Sequence, residues 1–328
     1  MKAARFYDTK DVRVENVEKP KVINDDEVLI KVVYAGICGS DLHIYNKAMF
    51  VTETPMTMGH EFSGTVEEVG TKVESIQVGD NVTADPRVTC VKCTWCQIGK
   101  EHLCPDLAFI GEVTPGSFAE YIVLKEEKVF VLPPEIDLVN GCLVEPLAVA
   151  LHIANQGKFS ERTRLGIVGA GPIGLITAIL AKEVYQVEEV NVLDISTQRL
   201  ELAKKNGIHN IFDSLPSFNV NTVVDAAGGE GAFKSSLNWV EPEGTMVLAG
   251  IYEEEINIDP NEILIKELTL TGVHGYTTQE ISETIKLFKS QNLDLSGLVK
   301  IMPLGEAKEA FEALLQREKS IIKLLLKP

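Results

Sequence analysis

The chain has 328 residues, 45% of them hydrophobic, with 48 Asp and Glu against 31 Lys and Arg and a formal charge of -17. Such a length and composition suit a globular protein of one large domain or two ordinary ones, and the acidic balance argues against nucleic acid or an anionic membrane as partner. The start MKAARFYDTKDVRVENVEKP has no apolar run of the signal-peptide kind, and no segment approaches the roughly 18 uninterrupted apolar residues of a membrane span, so a cytoplasmic location is expected.

From about Asp25 to Leu132, short β-rich runs (EVLIKVVYAG, FSGTVEEVG, GDNVTADP, FAEYIVL, KVFVLP) alternate with Gly, Pro and Asp turns, which predicts a compact β domain. Within it the stretch CVKCTWCQIGKEHLC places Cys90, Cys93, Cys96 and Cys104 on one loop, four of the chain's six cysteines. In a reducing compartment clustered thiols bind metal or do redox chemistry more often than they form disulfides. The spacing C-x2-C-x2-C-x7-C offers four thiolates, the ligand set of a closed tetrahedral structural zinc site. An iron-sulfur cluster is the rival, since ferredoxins use C-x2-C-x2-C-x3-C-P and Pro105 follows Cys104, but the last gap is too long. His102 lies inside this loop, where four cysteines already fill the shell.

From about Leu143 to Gly272 helical stretches alternate with the apolar strands RLGIVGAG, EEVNVLD, NTVVDAAG, GTMVLAG and LTLTGV, the pattern of a doubly wound parallel sheet in an α/β fold. In GIVGAGPIGLITAIL, Gly169, Gly171 and Gly174 supply G-x-G-x-x-G between strand and helix. These glycines serve a tight turn, close approach of a pyrophosphate and close helix packing. Pro172 suits the first helical position, with Ile173 beside it. Asp194 ends the next strand at about the 20-residue offset where a carboxylate binds ribose hydroxyls, which favours NAD over NADP; Arg199, five residues on, is of a type that also serves a 2'-phosphate. After Tyr276 come a helix (TTQEISETIKLFKS), a strand near Val299 to Met302, a helix (GEAKEAFEALLQ) and an apolar strand (SIIKLLLKP), a tail expected to return to the first domain.

Upstream, Cys38 lies in GICGSDLHIY, and His60 and Glu61 are adjacent in PMTMGHEFSGTVEEVGTKV. The pattern GHE-x2-G-x5-G-x2-V, from Gly59 through Gly64 and Gly70 to Val73, resembles the zinc-containing alcohol dehydrogenase signature of the medium-chain dehydrogenase/reductase superfamily, and the chain resembles that family from end to end. The resemblance implies a GroES-like catalytic domain over 1–148 with a structural-zinc lobe at about 88–106, a Rossmann NAD-binding domain over 149–280, and a return of 281–328 to the catalytic domain. It also implies two zinc ions per chain, NAD as cofactor, a catalytic zinc in the cleft between the domains, and a homodimer or homotetramer. Cys38 and His60 become catalytic zinc ligands by the same resemblance. Glu145, in CLVEPLAVALH, stands where liver-type enzymes have cysteine, as in the sorbitol, butanediol and threonine dehydrogenase branch; there Glu61 and Glu145 serve as direct or water-bridged ligands, and the choice between them stays open. A proton relay through Ser40 and His43 is likewise implied, and Ala249, Gly250, Ile251 and Val273, with His274 beside it, fall where the family approaches the nicotinamide.

Apart from any resemblance, one thiolate, one imidazole and a carboxylate leave zinc a position for water or an alcohol, whose pKa the cation lowers. Cys142 reads as a buried small hydrophobe, and His152 and His209, on helix-like stretches, as structural. Two departures point away from a long polyol: Gly275-Tyr276 replaces the Arg-Tyr pair of sorbitol dehydrogenases, and Ile44 replaces their aromatic residue. The segment between Ile211 and Thr222 is short for the family, which predicts a trimmed helix. The expectation is a zinc-dependent, NAD-linked oxidoreductase converting a secondary alcohol (a small diol, polyol or sugar alcohol) to its ketone, with an L-threonine 3-dehydrogenase-like activity as the alternative. A noncatalytic zinc- and nucleotide-binding redox sensor is the alternative of another class, and the joint presence of Cys38, Ser40, His43, His60, Glu61 and Glu145 argues against it.

Overall fold

The period-two alternation of EVLIKVVYAG forms the strand Glu27–Ile37, which turns Val28, Ile30 and Val32 into a core shared with Phe62, Val66, Val82, Leu324 and Leu326. This strand is central to one of two units in the computed structural model, which describes residues 1–291, 293–316 and 321–328. The first unit comprises Met1–Glu145 and Thr277–Pro328, and the second Pro146–Tyr276. No helix among the described residues is long and apolar enough to cross a membrane.

In the first unit the main sheet runs Val129–Val131, Asn81–Ala84, Glu61–Val69, Glu27–Ile37, Lys323–Lys327, Val299–Pro303, and Tyr121–Lys125 also pairs with Glu27–Ile37. The strand Lys323–Lys327 lies antiparallel to Glu27–Ile37 and parallel to Val299–Pro303. Occupying the sheet interior explains its unbroken apolar run: Leu324, Leu325 and Leu326 are all fully buried. Of the apolar run SIIKLLLKP, Ser320 lies outside the described residues.

In the second unit six parallel strands, numbered here by chain order, are Arg164–Val168, Glu189–Leu193, Asn210–Phe212, Val220–Asp225, Val240–Leu248 and Thr269–Gly272. Their spatial order is 3-2-1-4-5-6, the dinucleotide-binding arrangement whose order reverses between the first and fourth strands. Residues 213–219, which link the third and fourth strands, contain no helix. The rings of Phe212, Phe218 and Trp239 meet there edge to face, with centroids 5.6 to 6.4 Å apart, and shield the sheet where a crossover helix is missing. His152 sits on the helix Val144–Gln156, but His209 does not sit on a helix: Thr197–Lys205 has already ended, Gly207 turns the chain at φ +83°, and the third strand begins at Asn210.

Candidate metal centres and nucleotide site

Cys38 ends the run of the central strand and caps the helix Gly39–Lys47, while His60 and Glu61 open the neighbouring strand. Pairing of Gly36 with Glu61 across the two strands brings these residues together. Glycine at position 36 leaves the room that Glu61 Oε2 occupies, and a Cβ there would displace that oxygen. One ligand atom each from Cys38, His60 and Glu61 lies within 4.8 Å of the other two, so a single ion reaches all three. A thiolate, an imidazole and a carboxylate fit zinc and leave its fourth position open.

The surroundings of the three residues are charged and largely buried. Asp41, 1% exposed, accepts a hydrogen bond from the Cys38 N–H through Oδ2 at 2.8 Å and places Oδ1 3.8 Å from His60 Nδ1, so one carboxylate holds the backbone of one residue and faces the ring of another. Burial pushes the Asp41 carboxyl up. Burial alone disfavours charge on His60, but Asp41, Cys38 and Glu145 outweigh it and raise the imidazole well above its ordinary range. Lys323 reaches in from the strand Lys323–Lys327, forms a buried ion pair with Glu61 and donates to the Ile37 carbonyl at 2.9 Å. Its burial works against the ammonium, yet Glu61 and Cys38 raise its pKa. Beneath them the Cys142 thiol, fully buried, donates to the Glu61 carbonyl at 3.7 Å, and burial pushes that thiol up.

The four-cysteine loop folds around its own sulfurs. Cys93 Sγ lies 3.5 Å from Cys96 Sγ, Cys104 Sγ lies 3.5 Å from Cys90 Sγ, and Cys90 and Cys96 are 4.0 Å apart. Four sulfurs at about 2.3 Å from a tetrahedral zinc stand about 3.8 Å from each other, so these separations fit that ion. Backbone N–H groups of Lys92 and Cys93 point at Cys90 and lower its thiol to about 7, whereas desolvation and the neighbouring sulfurs push Cys96 up to about 12. A cation resolves that conflict by letting all four ionise.

At the mouth of the parallel sheet, Gly169 takes φ +106° and Gly171 caps the helix Pro172–Glu183, with Pro172 at its first position. A Cβ on Gly174 would collide with the Gly169 carbonyl, which is the close packing that the third glycine of the motif provides. Asp194, 8% exposed, accepts from the Ala170 N–H and the Ser196 N–H, each at 2.7 Å, and Arg199 Nη1 lies 3.9 Å from its Oδ2.

Residues 24–134 match the family described as Alcohol dehydrogenase GroES-like domain, and 172–290 the family described as Zinc-binding dehydrogenase. The sorbitol dehydrogenase of Bacillus subtilis is 33% identical over 100% of this chain and 97% of its own length. The chain belongs to the zinc-containing medium-chain dehydrogenases. The crystal structure of 2R,3R-butanediol dehydrogenase from Bacillus subtilis shares 32% identity and a TM-score of 0.91, covering 100% of this chain and 99% of that one. An alcohol dehydrogenase from E. coli, solved in complex with NADH, shares 29% identity and a TM-score of 0.92 over 100% of this chain and 99% of its own. This dehydrogenase thus has its fold class and its place in the polyol branch from residues throughout the chain.

Around the Cys38, His60 and Glu61 group, Glu145 is 6% exposed on the first turn of Val144–Gln156, and its charge acts on His60, although it is not one of the three mutually close ligand groups. Ser40 and His43, both half-buried, are three positions apart on Gly39–Lys47 and so share a helix face. Ala249, Gly250 and the half-exposed Ile251 follow the fifth strand, and the Val273 N–H donates to the Leu248 carbonyl at 2.9 Å. The sequence reading of this dehydrogenase missed Lys323 and the second role of Asp41. Only a lysine inside an otherwise apolar strand signalled the first, and a carboxylate three residues after a ligand cysteine the second.

Proposed function

We propose that this zinc-dependent dehydrogenase oxidises a secondary alcohol, in a small diol, polyol or sugar alcohol, to the ketone with NAD as hydride acceptor. The observation that carries the reading is the convergence of Cys38, His60 and Glu61 beside Glu145, in a chain that also carries the Asp194 nucleotide site. Zinc bound there supplies Lewis-acid polarisation of the substrate oxygen. Cys38, His60 and one or both of Glu61 and Glu145 hold the ion, and Asp41 orients His60. Cys90, Cys93, Cys96 and Cys104 hold a second, structural ion. Ser40 and His43 carry the hydroxyl proton away while the carbinol hydrogen leaves as hydride, so alcohol and NAD+ become ketone, NADH and a proton. The glycine turn and Asp194 bind the adenosine half, and a carboxylate already accepting two backbone N–H groups disfavours a 2'-phosphate.

Relatives that act on sorbitol and on 2R,3R-butanediol bracket the size of substrate proposed. Gly275 in place of the arginine of sorbitol dehydrogenases offers no polar side chain to a long polyol, which favours the smaller end, whereas Ile44 is buried in the core with Tyr45 and Phe311. The enzyme works in the cytoplasm as a homodimer or homotetramer. NADH formation by zinc-loaded protein, measured against butanediol stereoisomers, sorbitol, xylitol, threonine and simple secondary alcohols with NADP in parallel, tests the reading. Turnover of a diol or polyol with NAD, abolished in Cys38→Ser, supports it; threonine as the sole good substrate, or turnover indifferent to Cys38→Ser, overturns it.

A further inference from the structure

Asp225 closes the fourth strand of the parallel sheet and is fully buried. Its Oδ1 accepts from the Ala227 N–H at 3.0 Å and the Gly228 N–H at 2.9 Å, and its Oδ2 accepts from the Tyr252 hydroxyl at 2.6 Å. Its backbone carbonyl accepts from the Ala249 and Gly250 N–H groups, both at 2.9 Å. One residue therefore ties the loop after the fourth strand to the loop after the fifth. The two loops touch backbone to backbone: a Cβ on Gly228 would collide with the Ile251 carbonyl, and one on Gly250 with the Gly228 nitrogen. The first glycine of the nucleotide motif belongs to the same stack, because a Cβ on Gly169 would come within 2.9 Å of Ala227 Cβ.

These loops leave the carboxyl edge of the sheet beside the point where strand order reverses, since Val168 of the first strand pairs with Asp225 of the fourth. Dinucleotides lie across that crevice, one half of the sheet serving each mononucleotide. Asp194 marks the adenosine half, and Asp225 and Tyr252 belong to the other. From Leu248 to Pro260 no residue is fully buried, and Leu248, Tyr252 and Ile256 pack only part of their surface against Phe233, Leu237 and Met246. The Tyr252 ring does pack edge-on against Phe233, 6.5 Å between centroids. Burial and the Asp225 carboxylate keep its hydroxyl protonated far above the usual range, so it remains a donor under working conditions.

We propose that the Tyr252–Asp225 hydrogen bond positions the nicotinamide half of the bound dinucleotide by holding the 249–252 loop in the conformation that receives the ring. The inference rests on the NAD-linked reading above. Both are positioning residues, acting through the backbone of Ala249 to Ile251, and neither is a catalytic residue.

The test compares NADH with ADP-ribose, which lacks the nicotinamide, in binding titrations of the zinc-loaded full chain. Tyr252→Phe is expected to weaken NADH about tenfold, the loss of roughly one hydrogen bond to a charged group, while ADP-ribose stays within about twofold. Asp225→Asn keeps the two backbone contacts on its oxygen but turns an amide N–H, itself a donor, toward the tyrosine hydroxyl, so the same bond is lost and NADH is expected to weaken by a similar factor with ADP-ribose again within about twofold. Equal weakening of NADH and ADP-ribose in Tyr252→Phe, no weakening of either, or an Asp225→Asn variant that binds NADH as the wild type does overturns the proposal. Failure of the wild-type chain to bind ADP-ribose or NADH overturns the nucleotide reading itself, a separate result.

Discussion

Lys323 and Glu61 form an ion pair with their side chains 2% and 1% exposed, and the carboxylate so engaged is also within ligand distance of Cys38 and His60. A metal held by Cys38, His60 and Glu61 would therefore share that carboxylate with the lysine. Removing either partner of a buried pair leaves the other charge uncompensated, at about 3–5 kcal/mol. Lys323→Met is expected to lose about that much stability in metal-free protein and clearly less with zinc bound, because the ion then neutralises Glu61. Chemical denaturation with and without chelator reads the difference; equal losses in both states would mean that Glu61 does not face the metal.

The two cysteine groups predict separable zinc losses. Cys38→Ser is expected to retain one zinc per chain, to unfold near the wild-type temperature and to lose turnover. Cys93→Ser is expected to retain the other zinc and to lose its folded lobe, which limited proteolysis within 90–104 detects. Metal analysis showing no loss in either variant would reject the assignment of both sites.

Cofactor choice should turn on Asp194. Its oxygens accept the Ala170 and Ser196 N–H groups and face Arg199 across 3.9 Å. In Asp194→Ala the arginine is released from its carboxylate, and the expected change is at least about tenfold weaker NAD, about 1.4 kcal/mol, with improved use of NADP. Ratios of kcat/KM for the two cofactors measure it, and an unchanged ratio counts against a role for Asp194 at the ribose.

Acid stability should follow Asp85. Its burial favours the neutral form, but the fully buried Arg87 guanidinium, 2.8 Å away, and Lys128 outweigh that and hold the carboxyl below its ordinary value. A carboxyl lowered by folding contributes stability above its unfolded pKa, and the contribution is lost as pH falls through the folded value. Unfolding midpoints are therefore expected to drop steeply below about pH 4, with a shallower drop in Asp85→Asn, which is less stable at neutral pH. Parallel curves for the two proteins would place the acid sensitivity elsewhere.

The four-cysteine group was legible because its residues share one loop, and His60 and Glu61 because they are adjacent, whereas Cys38, 22 positions before His60, was joined to them only through the family resemblance. The parallel strands were legible as apolar runs between helical ones, except Asn210–Phe212, where three residues are too few for a period to emerge. Lys323 was not, because a lysine in SIIKLLLKP carries no local sign of a carboxylate reached from the far end of the chain. Asp41 stands at the third position of the helix that Cys38 caps, where a carboxylate facing the Cys38 N–H is ordinary, and nothing in that local pattern specifies the oxygen turned to His60. Asp225 drew no separate reading inside the apolar run NTVVDAAG, because its hold on Tyr252 depends on a loop from the next strand.

The strand Lys323–Lys327 lies between Glu27–Ile37 and Val299–Pro303, and its lysine bonds to Ile37 across 286 positions of sequence. On a ribosome adding about 5–20 residues per second, roughly 15–60 s separate the emergence of those partners. Through that interval the strand that leads into Cys38 has an open edge, and Glu61 has no ammonium beside it. The cysteine lobe and the nucleotide sheet precede Lys323 in the chain, but the charge balance of the Cys38, His60 and Glu61 group waits for a residue 286 positions after Ile37, so the surroundings of that group are completed late in folding.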